Sequence, residues 1–198
     1  MVALRKHIPG RMTVDEFLVW DSGDRSGRLW QLVDGEPVAM APASQNHGAL
    51  QTEIARRIAN HLIANRPGCR AITNPGIVPN ARSTTNARIP DIGVTCGPRS
   101  DAHMMPNPVL LIEILSPSNE AETWRNVWSY TTIPSMIEIL IVRGTRIEAE
   151  LLRRQPDGHW PKDTTPLGKD ASVTLESIGL TVALADFYAT TSLTEAAA

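Results

Sequence analysis

The longest regular pattern of apolar positions lies between residues 45 and 65, where Leu50, Ile54, Ile58 and His61 or Leu62 recur at steps of three and four. That spacing predicts a helix with one buried face, closed by Arg66-Pro67-Gly68. Extended backward, the stripe reaches His47. Upstream, Thr13 followed by Glu16 three residues on reads as a capping box opening a short helix, with Phe17, Leu18 and Trp20 on its apolar side. Arg28 to Val33 and Glu36 to Met40 flank Asp34-Gly35, the dipeptide suited to a two-residue type I′ hairpin turn. Pro37 places the second arm at a sheet edge or a bulge.

Downstream the period changes from 3.6 to 2 or to unbroken apolar runs. Strands are expected near 69–79, 87–95 and 108–115, the last one being Val109 to Leu115 between Pro106-Asn107-Pro108 and Ser116-Pro117. Asn119 can cap a second helix, with Glu122 in the position of a capping-box acid and a stripe of Trp124, Val127, Trp128 and Thr131. Ile133-Pro134 ends it. A strand over 137–142, a turn at Gly144-Thr145, a returning strand over 146–153 and a turn at Pro156-Asp157-Gly158 follow. Leu180 to Val182 precedes one helical turn ending in Phe187-Tyr188. The order α-β-β-α-β-β-β-α-β-β predicts an α/β or α+β domain, helices against a mixed sheet with an added hairpin. No linker divides the chain. Residues 12–190 read as one domain, 1–11 as a basic arm without an apolar signal core, and 191–198 as a tail.

Composition changes this picture little. Apolar residues are 42% and charged residues 20% of 198, enough for an ordinary core. The formal net charge of −2 excludes a global pull toward nucleic acid, so such binding would need a local basic patch. Arg143, Arg146, Arg153 and Arg154 offer one, on a hairpin expected to be exposed and also suited to contacts within a homodimer. No apolar stretch is long enough to span a membrane. Cys69 and Cys96 lack metal-site spacing and are expected as buried free thiols in a cytoplasmic protein.

The chemistry starts at Glu113, a carboxylate inside an otherwise apolar strand. Burying it ionised costs several kcal/mol, on the order expected for unpaired polar groups, unless a donor or cation meets it. Asp91, in Ile89-Pro90-Asp91-Ile92, brings a second carboxylate from another expected strand. Carboxylates on neighbouring strands commonly hold a hard divalent cation. Both residues also have ordinary readings, an arginine-paired strand-end acid and a turn acid.

Leu32-Val33-Asp34-Gly35-Glu36, His47, Arg88-Ile89-Pro90-Asp91-Ile92, Ile112-Glu113-Ile114-Leu115-Ser116-Pro117-Ser118 and Tyr130…Ile133-Pro134-Ser135 occur in one order. That series, from about Met12 to Tyr188, resembles the Uma-type restriction endonuclease family, a branch of the PD-(D/E)xK nuclease superfamily. The resemblance implies a restriction-endonuclease-like core and hydrolysis of DNA phosphodiesters assisted by Mg²⁺ or Mn²⁺. It makes Asp91 and Glu113 the central metal ligands, with the Ile114 carbonyl and Glu36 as further ones. His47 would line the cleft, and Arg88 and Arg125 would contact phosphate, Arg125 also serving the chemistry. Two departures stand out. The superfamily lysine is Leu115 here, and Lys6, Lys162 and Lys169 are all distant in sequence; Gln31 stands where a glutamate is common. Arginine holds phosphate but does not act as a base. The alternative is a nuclease-fold protein that binds nucleic acid or a protein partner without turnover.

Overall fold

A computed structural model describes residues 10–117 and 119–194. Among the described residues four helices and ten strands follow in this order: α1 (Val14–Leu18), β1 (Trp30–Val33), β2 (Glu36–Ala39), α2 (Gln45–Asn65), β3 (Arg70–Thr73), β4 (Ile92–Thr95), β5 (Pro108–Leu115), α3 (Glu120–Tyr130), β6 (Glu138–Arg143), β7 (Ala149–Arg153), β8 (Thr165–Leu167), β9 (Ser172–Leu175), β10 (Leu180–Ala183) and α4 (Leu184–Phe187). β3 to β8 form one six-stranded sheet in sequential order. Only β5 and β6 run parallel within it, joined by α3 as a crossover helix.

The sheet buries both faces, which is why β5 and β6 are nearly continuous apolar runs. On one face Ile92, Val94, Leu110, Ile112, Ile114, Leu140 and Val142 pack under Leu50, Ile54, Ile58 and Leu62 of α2, with Leu184 and Phe187 of α4. On the other, Leu111, Leu115, Ile139 and Ile141 meet Val127 and Tyr130 of α3. α2 spans the predicted residues, with Leu62 rather than His61 completing its stripe; His61 Nε2 lies 3.0 Å from the Ile178 carbonyl. The capping box of α1 forms as predicted. The β1–β2 turn has φ of 51° at Asp34 and 82° at Gly35, the pair of positive angles that a type I′ turn demands.

Other expectations are corrected. α3 turns a different face inward: Thr123, Asn126, Val127 and Tyr130 are buried, whereas Trp128 is 42% exposed. Asn119 makes no side-chain cap bond; its Oδ1 accepts instead from Ser116 N and Oγ. Cys69 and Cys96 form a disulfide rather than free thiols, joining the ends of the antiparallel pair β3–β4. The 137–154 hairpin is no exposed edge, because β6 lies between β5 and β7 and β8 covers β7. Its arginines are engaged in holding the fold. Arg143 pairs with Glu120 and Glu150, Arg146 with Glu148, and Arg153 with Glu138 and Glu176. Arg154 donates to the carbonyls of Gly158 and Pro134. β8 and β9 are additions to the predicted strands. Packing continues past 190, where Thr191 is buried and Ser192 bonds Asn46 on α2; most of the expected arm and the last four residues of the expected tail fall outside the described residues.

Candidate active site

Asp91 sits one residue before β4. Carrying the β4–β5 register one step back from Ile92↔Ile112 sets Asp91 across from Glu113. Residues opposed in an antiparallel pair project to the same side, so the backbone ladder itself brings the two acids together. Glu113 lies between Leu111 and Leu115, whose side chains face α3. It is 7% exposed, and Asp91 is 8% exposed.

Each acid is held by hydrogen bonds. Asp91 Oδ1 is 2.8 Å from His47 Nε2, and Asp91 Oδ2 accepts the Ile114 backbone N–H at 2.6 Å. One turn along α2 from His47, Gln51 Nε2 donates to the Asp91 carbonyl and to Asn74 Oδ1. Asn74, with φ of 49°, donates its own N–H to the same carbonyl. Two side chains spaced i, i+4 on one helix face therefore grip Asp91 by its carboxylate and its backbone. Glu113 Oε1 accepts from Tyr130 Oη at 2.8 Å.

Burial, and then the charge of Asp91, push the Glu113 carboxyl well above the ordinary carboxylate range, while the Tyr130 hydrogen bond opposes the rise. Tyr130 is itself pushed well up, first by burial and then by Glu113. Glu113 has no cationic partner among the described residues. Two opposed carboxylates, met by neutral donors and by one histidine, are a donor set that a divalent cation would relieve. Mg²⁺ usually takes only one or two carboxylates and keeps several waters, so the pair fits such an ion.

The remaining expected residues are placed unevenly. Ile114 reaches the site through its N–H on Asp91. Glu36 is exposed at the start of β2, opposite Val33, and among the described residues no three His, Cys, Asp or Glu side chains gather in a metal-holding group. Arg88 is 8% exposed, donating to the Leu32 carbonyl and to Asn86 Oδ1, and burial lowers its pKa. Arg125 is exposed on α3 and lines the same cavity as Arg88. Glu122, expected as a capping acid, instead accepts at Oε1 from Gln31 Nε2, 2.8 Å away and 91 residues distant in sequence. Sequence reasoning missed Gln51 and took Tyr130 for packing. A tyrosine four positions from Asn126 on the face of α3 toward β5 was the available signal; Gln51, four residues after His47, was another.

Comparison with known proteins gives the chain's fold and family. An uncharacterized protein of Synechocystis sp., slr1290, is 31% identical over 183 residues, covering 90% of this chain and 92% of its own. The crystal structure of a "putative nuclease belonging to DUF820" from Anabaena variabilis superposes with a TM-score of 0.71 at 20% identity, covering 89% of this chain and 97% of that one. That likeness establishes the restriction-endonuclease-like fold. The Uma2 family model, described as "Putative restriction endonuclease", matches residues 14–185, and with that span the chain belongs to the Uma2 family.

Proposed function

We propose that this protein is a nuclease that hydrolyses phosphodiester bonds of DNA with the help of a divalent cation, Mg²⁺ or Mn²⁺. The observation that carries the reading is the opposed pair Asp91 and Glu113, both buried, neither met by a lysine or arginine among the described residues, with Glu113 driven toward protonation by burial and then by its neighbour's charge. Asp91 and Glu113 would hold the ion, which would activate water and offset charge on the phosphate. The chain's own groups then have separate tasks. His47 orients the Asp91 carboxylate, and the Ile114 N–H fixes its other oxygen. Tyr130 keeps one Glu113 oxygen in place and limits the rise in its pKa. Arg125, exposed and without an ion pair among the described residues, suits a contact to the DNA backbone. Such contacts make binding fall steeply with salt. Arg88, only 8% exposed, lines the same cavity and adds a second positive charge there.

The test is plasmid cleavage with Mg²⁺ or Mn²⁺ by the full chain, beside Asp91→Asn and Glu113→Gln. Cleavage lost in both variants, with the fold intact by circular dichroism, is expected. Cleavage that persists in either refutes the assignment.

A second reading has its own observation. No lysine lies in the described site, both Asp91 oxygens already have protein partners, and Gln31 is tied to Glu122. A binding protein without turnover would keep this arrangement. It predicts salt-sensitive retention of DNA with no strand scission at any metal concentration.

A further inference from the structure

Between the β1–β2 hairpin and α3 lies a cavity of about 340 Å³. Val33 and Val38 give it apolar wall, and Arg88, Arg125 and Glu122 give it charge, with Asp34 beside them. It lies next to the acidic pair, since Asn126 on its α3 side stands one helical turn before Tyr130, whose hydroxyl holds Glu113.

Arg88 sets the cavity apart from an incidental gap. It is 8% exposed, and its Nη1 and Nη2 donate to the Leu32 carbonyl at 3.2 Å and to Asn86 Oδ1 at 2.9 Å, both neutral acceptors. Its Nε is buried and has no acceptor among the described residues, and no carboxylate there pairs with the guanidinium. A buried charge without a counter-charge is costly, so an anion entering the cavity is favoured. Arg125 adds a second guanidinium, exposed and without an ion pair among the described residues. Burial lowers the pKa of Arg88, and Arg125 is close enough to add to the fall.

The acids of the lining decide which anion fits. Asp34 is matched by Arg82 at 2.6 Å and also accepts from Asn86, and Glu122 Oε1 accepts from Gln31. With Asp34 matched, two guanidiniums face one carboxylate, a surplus of one positive charge. A phosphodiester carries one negative charge and neutralises that surplus. A terminal phosphate carries about −1.5 to −2 at neutral pH and would leave negative charge in excess beside Glu122. Guanidiniums suit the oxygens of either group, and the two valines suit the sugar next to a diester. Resting on the nuclease reading of the adjoining site, we infer that this cavity seats one phosphodiester of the bound strand, other than the one being cut. The strand is then held at two points, and the cavity sets which linkage lies at Asp91 and Glu113.

The experiment titrates the full-length protein, in metal-free buffer, with the dinucleoside monophosphate of thymidine, with 5′-thymidine monophosphate, with thymidine and with inorganic phosphate. Without a cation the two acids repel phosphate, so binding reports on the cavity. Thermal shift and the arginine Nε–H signals of ¹⁵N-labelled protein are the readouts. The dinucleotide is expected to bind, to weaken as salt rises and to move the Arg88 signal. The other three are expected to be at least about tenfold weaker, on the order of one charge-assisted hydrogen bond. Arg125→Met, a change at an exposed position, is expected to weaken the dinucleotide by a similar factor, and Arg125→Lys to restore part of the loss. Glu122→Gln removes the opposing acid and is expected to help the monophosphate more than the dinucleotide. Binding of thymidine, monophosphate or inorganic phosphate as tight as that of the dinucleotide, no binding of any, or an Arg125→Met protein that binds like the wild type would overturn the inference. Plasmid cleavage that needs Asp91, in a protein that binds the dinucleotide no better than thymidine, would sink the phosphate seat alone. Dinucleotide binding that needs Arg125, without cleavage at any Mg²⁺ or Mn²⁺ concentration, would sink the proposed reaction and leave the seat standing.

Discussion

Tyr130 reaches from the end of α3 to donate a 2.8 Å hydrogen bond to Glu113 Oε1 at the centre of β5. Both residues are buried, so the contact joins the crossover helix to the sheet at the point where the acidic pair is formed. Tyr130→Phe keeps the ring in its apolar surroundings and deletes only this donor. Glu113 Oε1 is then left without its partner, and the protein is expected to lose about 1–3 kcal/mol of stability. Urea unfolding of the two proteins measures it. An unchanged midpoint would show that the hydroxyl contributes nothing to holding Glu113.

Glu113 also makes stability depend on pH in a predictable sense. Its folded pKa lies well above the ordinary value of 4.5, because burial and Asp91 disfavour the charge. The folded state therefore holds the proton longer than the unfolded chain. The stabilising share is complete below pH 4.5 and is lost as pH rises through the folded pKa, at roughly 1.4 kcal/mol for each unit of difference. Glu113→Gln keeps an acceptor for Tyr130 and cannot ionise. It is expected to match the wild type near pH 4 and to be the more stable protein near pH 8, in metal-free buffer. Parallel denaturant titrations at the two pH values decide this, and a difference that stays constant with pH removes the argument.

The same proton competes with a cation. If Asp91 and Glu113 hold Mn²⁺, each binding event must release the proton that Glu113 retains, so apparent affinity rises with pH until Glu113 ionises on its own. Calorimetric titration in buffers of different ionisation enthalpy reports the released proton directly. Asp91→Asn removes the charge that raises Glu113 and is expected to abolish both binding and proton release. Mn²⁺ affinity that is flat from pH 5 to 8 would count against a shared ion.

How much of this was readable in advance depended on the range of the interaction. The α2 stripe, the α1 capping box and the Asp34-Gly35 turn are set by residues within a few positions of one another, and the structure agrees with each. Asp91 and Glu113 drew notice because each is an acid among apolar neighbours on an expected strand, and the β4–β5 register carried one step back sets them across from each other. The inward face of α3 was not readable, because Trp124 and Trp128 outweigh Thr123 and Asn126 on any hydrophobic count. The bond between Gln31 and Glu122 and the ion pair between Arg153 and Glu138 belong to the same class. A row of arginines looked like a surface for DNA only while their acidic partners were unknown.

Arg153 illustrates the difference. Glu138 has no solvent exposure, and Arg153 Nε meets its Oε1 at 2.7 Å, with the backbone N–H groups of Glu176 and Ser177 at 3.1 and 2.8 Å. Removing the carboxylate leaves the two backbone donors unmet and takes one partner from the guanidinium, which keeps Glu176 and the Thr174 carbonyl. Glu138→Ala is expected to cost about 3–5 kcal/mol, the range for breaking a buried pair. Arg153→Met is expected to lower stability without changing the salt dependence of DNA binding, whereas Arg125→Met should reduce that dependence and spare stability. Electrophoretic mobility shifts over a series of salt concentrations, with thermal melts of the same samples, separate the two; a lowered salt slope in Arg153→Met would return that arginine to the DNA surface.

The disulfide between Cys69 and Cys96 ties β3, the edge strand of the sheet, to β4 across 27 residues of sequence. Closing a loop of that length limits the unfolded chain and contributes about 3–4 kcal/mol, by the entropy of loop closure. The bond does more than close a loop, because the β3–β4 ladder leads directly to the Asn74 N–H on the Asp91 carbonyl. Its loss should therefore loosen the edge before the centre. Reduction with dithiothreitol, or Cys69→Ser with Cys96→Ser, is expected to lower the unfolding midpoint and to speed amide exchange at residues 70–74 and 92–95. The β5–β6 ladder, buried on both faces, should retain its protection. Equal midpoints and equal exchange with and without reductant would mean that the edge is held by its backbone pairing alone.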